Sequence, residues 1–222
     1  GQLQALIKGT PMKQHPLLLA SSSPYRRQLM EKLRLPFHTA SPNVDESQRM
    51  NESAEQLVVR LALKKAEALC GDYPEHWIIG SDQIACLEDG TILNKPGTHE
   101  RAAQQLERSS GQRVSFLTGL VLVDSSTGQR QSHCEHFHAH FRQLDADEIN
   151  NYLHTEQPYD CAGSFKMEGL GIALFSRLDG RDPNSLIGLP LIALTDMLRN
   201  WGLNPLHPLP ASHRSSNRDS AK

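Results

Sequence analysis

The sequence predicts an α/β fold, a mixed elongated sheet with flanking helices and a cleft. Short apolar runs with strand character alternate with segments of helical period. Two long alternating runs after residue 112, joined by a turn, add an antiparallel part to the sheet. No internal repeat interrupts this pattern.

Element by element, Leu17, Leu18 and Leu19 read as a first strand. The turn "ASSS" leads into a helix, with Ser23 as cap, Pro24 in the first turn, and Leu29, Met30 and Leu33 at helical spacing. Pro36 stops it, and "FHTASPNVDES" is extended. "SAEQLVVRLALKKAEALCGDYP" is a helix with a Ser53–Gln56 capping box, Leu57, Leu61 and Ala68 on one face, and Arg60, Lys64 and Lys65 near another. Gly71 and Pro74 close it.

"WIIGSDQIACL" opens as a buried strand, yet it carries Asp82 and Gln83 in mid-run. A buried charge costs several kcal/mol (order of magnitude) unless paired or metal-bound. Either Asp82 has a partner, or the strand breaks there and the carboxylate looks into a cleft. The second expectation fits the Gly80–Ser81 pair before it. A short "TILNKPG" and a helix over about 98–108 follow. Two strands flank the turn at Ser125 to Gly128, Asp145 caps a short helix, "GIALFSRLDGRDP" is strand and turn, and Gly202 ends the last helix.

Composition limits the function. The 222 residues carry a formal net charge of −2, against a non-specific nucleic-acid binder. No run approaches the roughly 18 apolar residues of a membrane span. Cys70, Cys86, Cys134 and Cys161 are widely spaced with no CxxC pair, as expected of reduced thiols in the cytoplasm. Residues 1–12 read as an added leader, 13–206 as the working domain, and 207–222 as a disordered polar tail.

Several stretches can carry chemistry. "ASSSPYRR" offers hydroxyls, a helix N-terminus and Arg26 and Arg27 to phosphate, or is only a capped surface helix. Asp45 and Glu46 offer hard oxygens to a divalent cation, or are solvated charge. Asp82 reads as metal ligand or general base, or as an Asx turn. Lys65 and Lys95 are each a solvated lysine alone, but with Arg26 they can surround a triphosphate. Cys134, His136, His138 and His140 share one strand face, a set zinc can use. Consecutive same-face positions point in parallel, however, and tetrahedral sites usually draw ligands from separate elements. Glu168, between glycines, can read a base edge or sit in water.

In order along the chain, "LASSSPYRRQLM", "VDE", "RLALKKA", "IIGSDQ", "NKP", "TGL", "CAGSF" and "GLPL" resemble the Maf family of nucleotide pyrophosphatases, from about Leu17 to Leu206. The resemblance implies two lobes around a deep cleft, often in a homodimer. It implies hydrolysis of a nucleoside triphosphate between the α and β phosphates, with Asp82 as proton acceptor. Glu46 and Asp82 would hold Mg²⁺ or Mn²⁺, while Ser21, Ser23, Arg26, Lys65 and Lys95 would form the phosphate pocket. Lys64 and Arg27 only adjoin matched positions. Tyr25, Gln83 and Glu168 make the chain similar to the subgroup acting on 7-methyl-GTP. That base is cationic, so Tyr25 can stack on it and Glu168 can accept its N–H groups, with Gln83 shaping the pocket. Two other readings stay open: a broader house-cleaning pyrophosphatase taking dTTP, UTP or modified nucleotides, and a nucleotide-binding regulator of cell division without turnover. No membrane or stable nucleic-acid partner is expected.

Overall fold

A computed structural model describes residues 12–207. The expected leader and tail therefore lie almost wholly outside the described residues. Within them, seven strands form one mixed sheet, β1 (Leu17–Ala20), β2 (Phe37–Ala40), β3 (Trp77–Cys86), β4 (Ile92–Leu93), β5 (Arg113–Asp124), β6 (Arg130–Phe141) and β7 (Phe175–Gly180). The order is β2-β1-β3-β5-β6-β7, with β4 also on β3. β1 runs parallel to β2 and β3, and every other pairing is antiparallel.

Five α-helices flank the sheet: α1 (Pro24–Glu31), α2 (Ala54–Glu67), α3 (His99–Ser109), α4 (Ala146–Glu156) and α5 (Leu191–Asn200). The expected caps form: Ser23 accepts from Arg26 N, and Ser53 with Gln56 makes a full capping box. Asp145 with Glu148 makes another. α1 ends at Glu31, so Leu33 packs on the core from beyond the helix. "GIALFSRL" is strand only from Phe175, because a 3-10 turn takes Leu170–Leu174.

The core divides by face and by end. On one face Leu17, Leu19, Trp77, Ile79 and Leu120 pack with α1 and α5. Farther along, Ala85, Phe116, Phe137 and Phe141 pack with α3 and α4. Between these two clusters stand Ser81 and Gln83. The opposite face is covered by α2, which packs Leu57, Val58, Leu61, Ala62 and Ala66 on β3, β5 and their neighbours. Two glycines permit that approach. A Cβ at Gly80 would lie 2.0 Å from the Ala62 carbonyl oxygen, and one at Gly119 would lie 2.1 Å from that of Val58.

β3 does not break at Asp82. All ten residues pair with β5, Asp82 opposite Gly119 and Gln83 opposite Thr118. What breaks is the other edge. β1 pairs with Trp77 to Ile79, and β4 takes up pairing only at Ala85. The strand therefore stays continuous while one of its edges opens beside Asp82. An opening beyond the carboxyl end of a parallel strand is a common place for a ligand.

Candidate active site

The open edge of β3 forms one side of a cleft of about 460 Å³. Ser21, Ser23, Tyr25 and Arg26 line it from the β1–α1 turn. Glu46, Lys65, Gln83, Lys95 and Glu168 line it from five other segments. Nine of the ten residues that the resemblance implies for the site thus converge on one cavity. The tenth, Asp82, sits one contact behind.

Lys65 joins the pieces. It lies on the sheet side of α2 and is buried, not on the solvent face its spacing first suggests. Its Nζ donates to Asp82 Oδ1 at 2.7 Å and lies 3.0 Å from Glu46 Oε1. Asp82 is therefore a paired buried charge, and its partner is an ammonium. Partial burial alone would raise the Glu46 pKa, but Lys65, with Lys95 and Arg26 beyond it, holds the carboxyl below the usual range. Asp45, its neighbour in sequence, turns away and accepts from Ser47 N at 2.9 Å and Ser47 Oγ at 2.6 Å. The acidic pair is thus one turn-former and one cleft residue.

Alternation along β3 sends Asp82 toward α2 and Ser81 and Gln83 toward the opposite face. There the segment after the 3-10 turn Pro183–Leu186 receives them. Ser81 Oγ donates to the Gly188 carbonyl at 2.9 Å, and Arg26 Nε donates to the same oxygen at 2.8 Å. That carbonyl ties the start of α1 to β3 and fixes the guanidinium. Burial pushes the Arg26 pKa down, while Asp82 and Glu46 oppose the shift. Gln83 Nε2 donates to Ser185 O at 2.6 Å, and Thr118 Oγ1 donates to the same oxygen at 3.2 Å. With its nitrogen committed, Gln83 has its carbonyl oxygen left for the cleft. Asp182, fully buried, holds this segment by accepting from Asn184 N at 2.9 Å and Ile192 N at 2.8 Å.

At the β1 end, Ser21 Oγ accepts from Ser23 N at 3.0 Å, and Ser23 Oγ caps α1. The hydroxyls and the helix N-terminus together face the cavity. The segment 160–168 lines the same cavity. Tyr152 anchors it from α4, donating to Ser164 O at 2.9 Å and accepting from Lys166 N at 3.0 Å. Partial burial raises the Glu168 pKa, with Lys166 acting against it. A carboxylate near a lysine and a phenol lining the same cavity suit a flat, electron-poor base.

Some lining residues were not singled out from the sequence, notably Asp160, Cys161 and Lys166. Asp160 and Lys166 flank the "CAGSF" stretch and Cys161 opens it, so the motif marked the place without giving these side chains a role. Thr118 and the carbonyls of Ser185 and Gly188 were missed too. Backbone acceptors leave no residue-type signal, although "TGL" begins at Thr118 and "GLPL" at Gly188. Lys64 and Arg27 stay out of the cleft: Lys64 donates to Asp45 O at 3.3 Å, and Arg27 lies 3.8 Å from Glu31.

The donor chemistry at Glu46 and Asp82 fits a hard divalent cation. Two carboxylates already converge on one positive centre at the cleft wall, and Mg²⁺ and Mn²⁺ prefer oxygen ligands. The surrounding cations, Arg26, Lys65 and Lys95, suit an anion of several charges.

Comparison with known proteins agrees with this arrangement. The profile of the family described as Maf-like protein matches residues 16–201. A relative from Pseudomonas savastanoi pv. phaseolicola, named 7-methyl-GTP pyrophosphatase, is 60% identical over 188 residues, 85% of this chain and 97% of that protein. Proteins of the same name from Pseudomonas aeruginosa and Pseudomonas syringae pv. tomato are 58% and 59% identical, each aligned over 97% of its length and 84% and 85% of this chain.

Proposed function

The chain belongs to the Maf-like protein family, and on that premise we propose that it is a nucleotide pyrophosphatase that hydrolyses 7-methyl-GTP to 7-methyl-GMP and pyrophosphate. The observation that carries the proposal is the meeting of Asp82 and Glu46 on Lys65 at the wall of a cationic cleft. The names of the relatives support the substrate.

The chain's own groups divide the work. Arg26, Lys65 and Lys95, with the Ser21 and Ser23 hydroxyls and the N-terminus of α1, bind the triphosphate and oppose its charge. Entry of the phosphates gives the Lys65 ammonium a second set of oxygens and so loosens its hold on Asp82. Asp82 then accepts a proton from water as the water oxygen bonds to the α-phosphorus. The bond from that phosphorus to the bridging oxygen breaks, and pyrophosphate leaves with the bonding electrons. A divalent ion held by Glu46 and Asp82 would supply charge neutralisation at the phosphate oxygens. Tyr25 stacks on the methylated base, Glu168 accepts from its N–H groups, and Gln83 closes the pocket floor with its carbonyl oxygen. A cytoplasmic setting and a homodimer complete the reading, and both are carried by the family resemblance. No helix among the described residues is long and apolar enough to cross a membrane.

The test is pyrophosphate release from 7-methyl-GTP, GTP, dTTP and UTP with Mg²⁺ or Mn²⁺, by the parent chain and Asp82→Asn. The expected outcome is preference for 7-methyl-GTP and a loss of roughly 10²–10⁴-fold in the variant. Preference for dTTP or UTP would overturn the roles of Tyr25, Gln83 and Glu168. Binding without release from any triphosphate would leave the regulator reading.

A further inference from the structure

We infer that Glu55, Cys134 and His136 form a second metal site, one that takes zinc or a similar borderline divalent cation. One ligand atom from each lies within 4.8 Å of the other two. The closest measured approach, His136 Nε2 to Glu55 Oε1, is 3.6 Å. Tetrahedral zinc, with bonds of about 2.0–2.3 Å, sets its ligands about 3.3–3.7 Å apart. One edge of the site is thus already at metal-bound spacing. The remaining gap is within reach of the Glu55 and His136 side chains, which are 60% and 45% exposed and free to turn.

The helix answers the objection that a strand cannot supply such a site alone. Cys134 and His136 do point the same way from β6. The missing direction comes from α2, whose first turn carries Glu55 over them. Gly119 makes this possible, because it pairs with Cys134 across the β5–β6 ladder and lets Val58 of α2 sit directly on it. Cys134 itself packs against the cluster of Leu57, Val58 and Leu61.

The donor set is sulfur, nitrogen and oxygen, which suits zinc or cobalt and not magnesium or calcium. On binding, the Cys134 thiol releases its proton to solvent and its sulfur bonds the metal. The thiolate and the Glu55 carboxylate then balance the charge of the divalent ion, and a water completes the fourth position on the exposed side. Without metal the thiol stays protonated: burial, then Glu55 and Glu135, push it up to about 12. None of the three residues lines the catalytic cleft. Ten residues of helix separate Glu55 from Lys65, about 15 Å at 1.5 Å per residue. The site therefore acts as a clamp between the start of α2 and β6.

The test is a Co²⁺ titration of the metal-stripped full chain at neutral pH, in excess Mg²⁺, read by the near-ultraviolet thiolate-to-cobalt charge-transfer band. A saturable band bleached by Zn²⁺ is expected. It should be absent in Cys134→Ser and present in Cys161→Ser, which removes the thiol lining the cleft. Changing even a partner outside the metal's own ligands costs roughly 10–100-fold in affinity, so His136→Ala should weaken binding by about 100-fold or more. That variant alters an exposed ring and keeps the fold should Cys134→Ser lose it. No band in the parent, a band that survives Cys134→Ser, or unchanged affinity in His136→Ala would each overturn the site.

Discussion

The two ends of α2 carry charged residues to the same face of the sheet, and they do so differently. Near its C-terminal end, Lys65 is buried between two carboxylates from distant segments. In its first turn, Glu55 is exposed and meets a thiol and an imidazole from one strand. Each end rests on a glycine that admits the helix backbone, Gly80 under Ala62 and Gly119 under Val58. Close packing thus places both clusters, and burial decides what each can do. The buried end is locked by charge pairing that a polyanion can exchange. The exposed end holds softer donors whose partners are free to rearrange around an ion.

Breaking the buried end gives the largest effect. Lys65→Met leaves Asp82, 9% exposed, without its partner. Urea denaturation should show a loss of about 3 kcal/mol, and pyrophosphate release should fall with it. Adding Asp82→Leu should restore part of the stability while activity stays lost, because the stranded charge is gone. Glu55→Gln in metal-free protein, by contrast, should change stability by less than about 0.5 kcal/mol. Equal losses at the two ends would erase the distinction.

The glycines separate the ends more finely. Gly80→Ala and Gly119→Ala each drive a Cβ into a helix carbonyl, at a cost of about 1–3 kcal/mol. Gly80→Ala should depress turnover more, since Lys65 lies three residues beyond Ala62. Gly119→Ala should instead weaken the thiolate–cobalt band more, since Glu55 lies three residues before Val58. Steady-state kinetics beside the cobalt titration would read both, and a reversed order would contradict the placement.

The smallest effect concerns acid. The Glu46 pKa is held below its ordinary value. A depressed carboxylate contributes stability that is complete above its unfolded pKa, about 4.3, and that is lost as pH falls through the lower folded value. Glu46→Gln should therefore flatten the decline of the urea midpoint below about pH 4.3 and leave the decline above it unchanged. The side chain is 56% exposed, so solvent screening keeps the difference small.

The sequence was most readable where chemistry is local. Caps at Ser23, Ser53 and Asp145, the strand pair around Ser125 to Gly128, and the stop of α5 just before Gly202 follow from neighbours a few residues apart. The proposed site was marked in the sequence by motif order, and Ser21, Tyr25, Arg26, Glu46, Lys65, Gln83, Lys95 and Glu168 from those motifs line one cleft. Lys65 was misplaced on its helix because three cations within six residues, Arg60, Lys64 and Lys65, look like a solvent face. Only packing shows that one of them points inward to a charge.

By itself, then, the sequence determined the α/β class, the caps and turns, and the family, since these depend on residue types at short, fixed spacing. The tertiary structure alone decided that Asp82 lies within an unbroken strand and is paired with Lys65, and that the gap in pairing falls on its neighbouring edge. It alone carried Glu55 over Cys134 and His136. Those outcomes depend on which backbone passes close to which, and two glycines with no side chain to signal it set that distance.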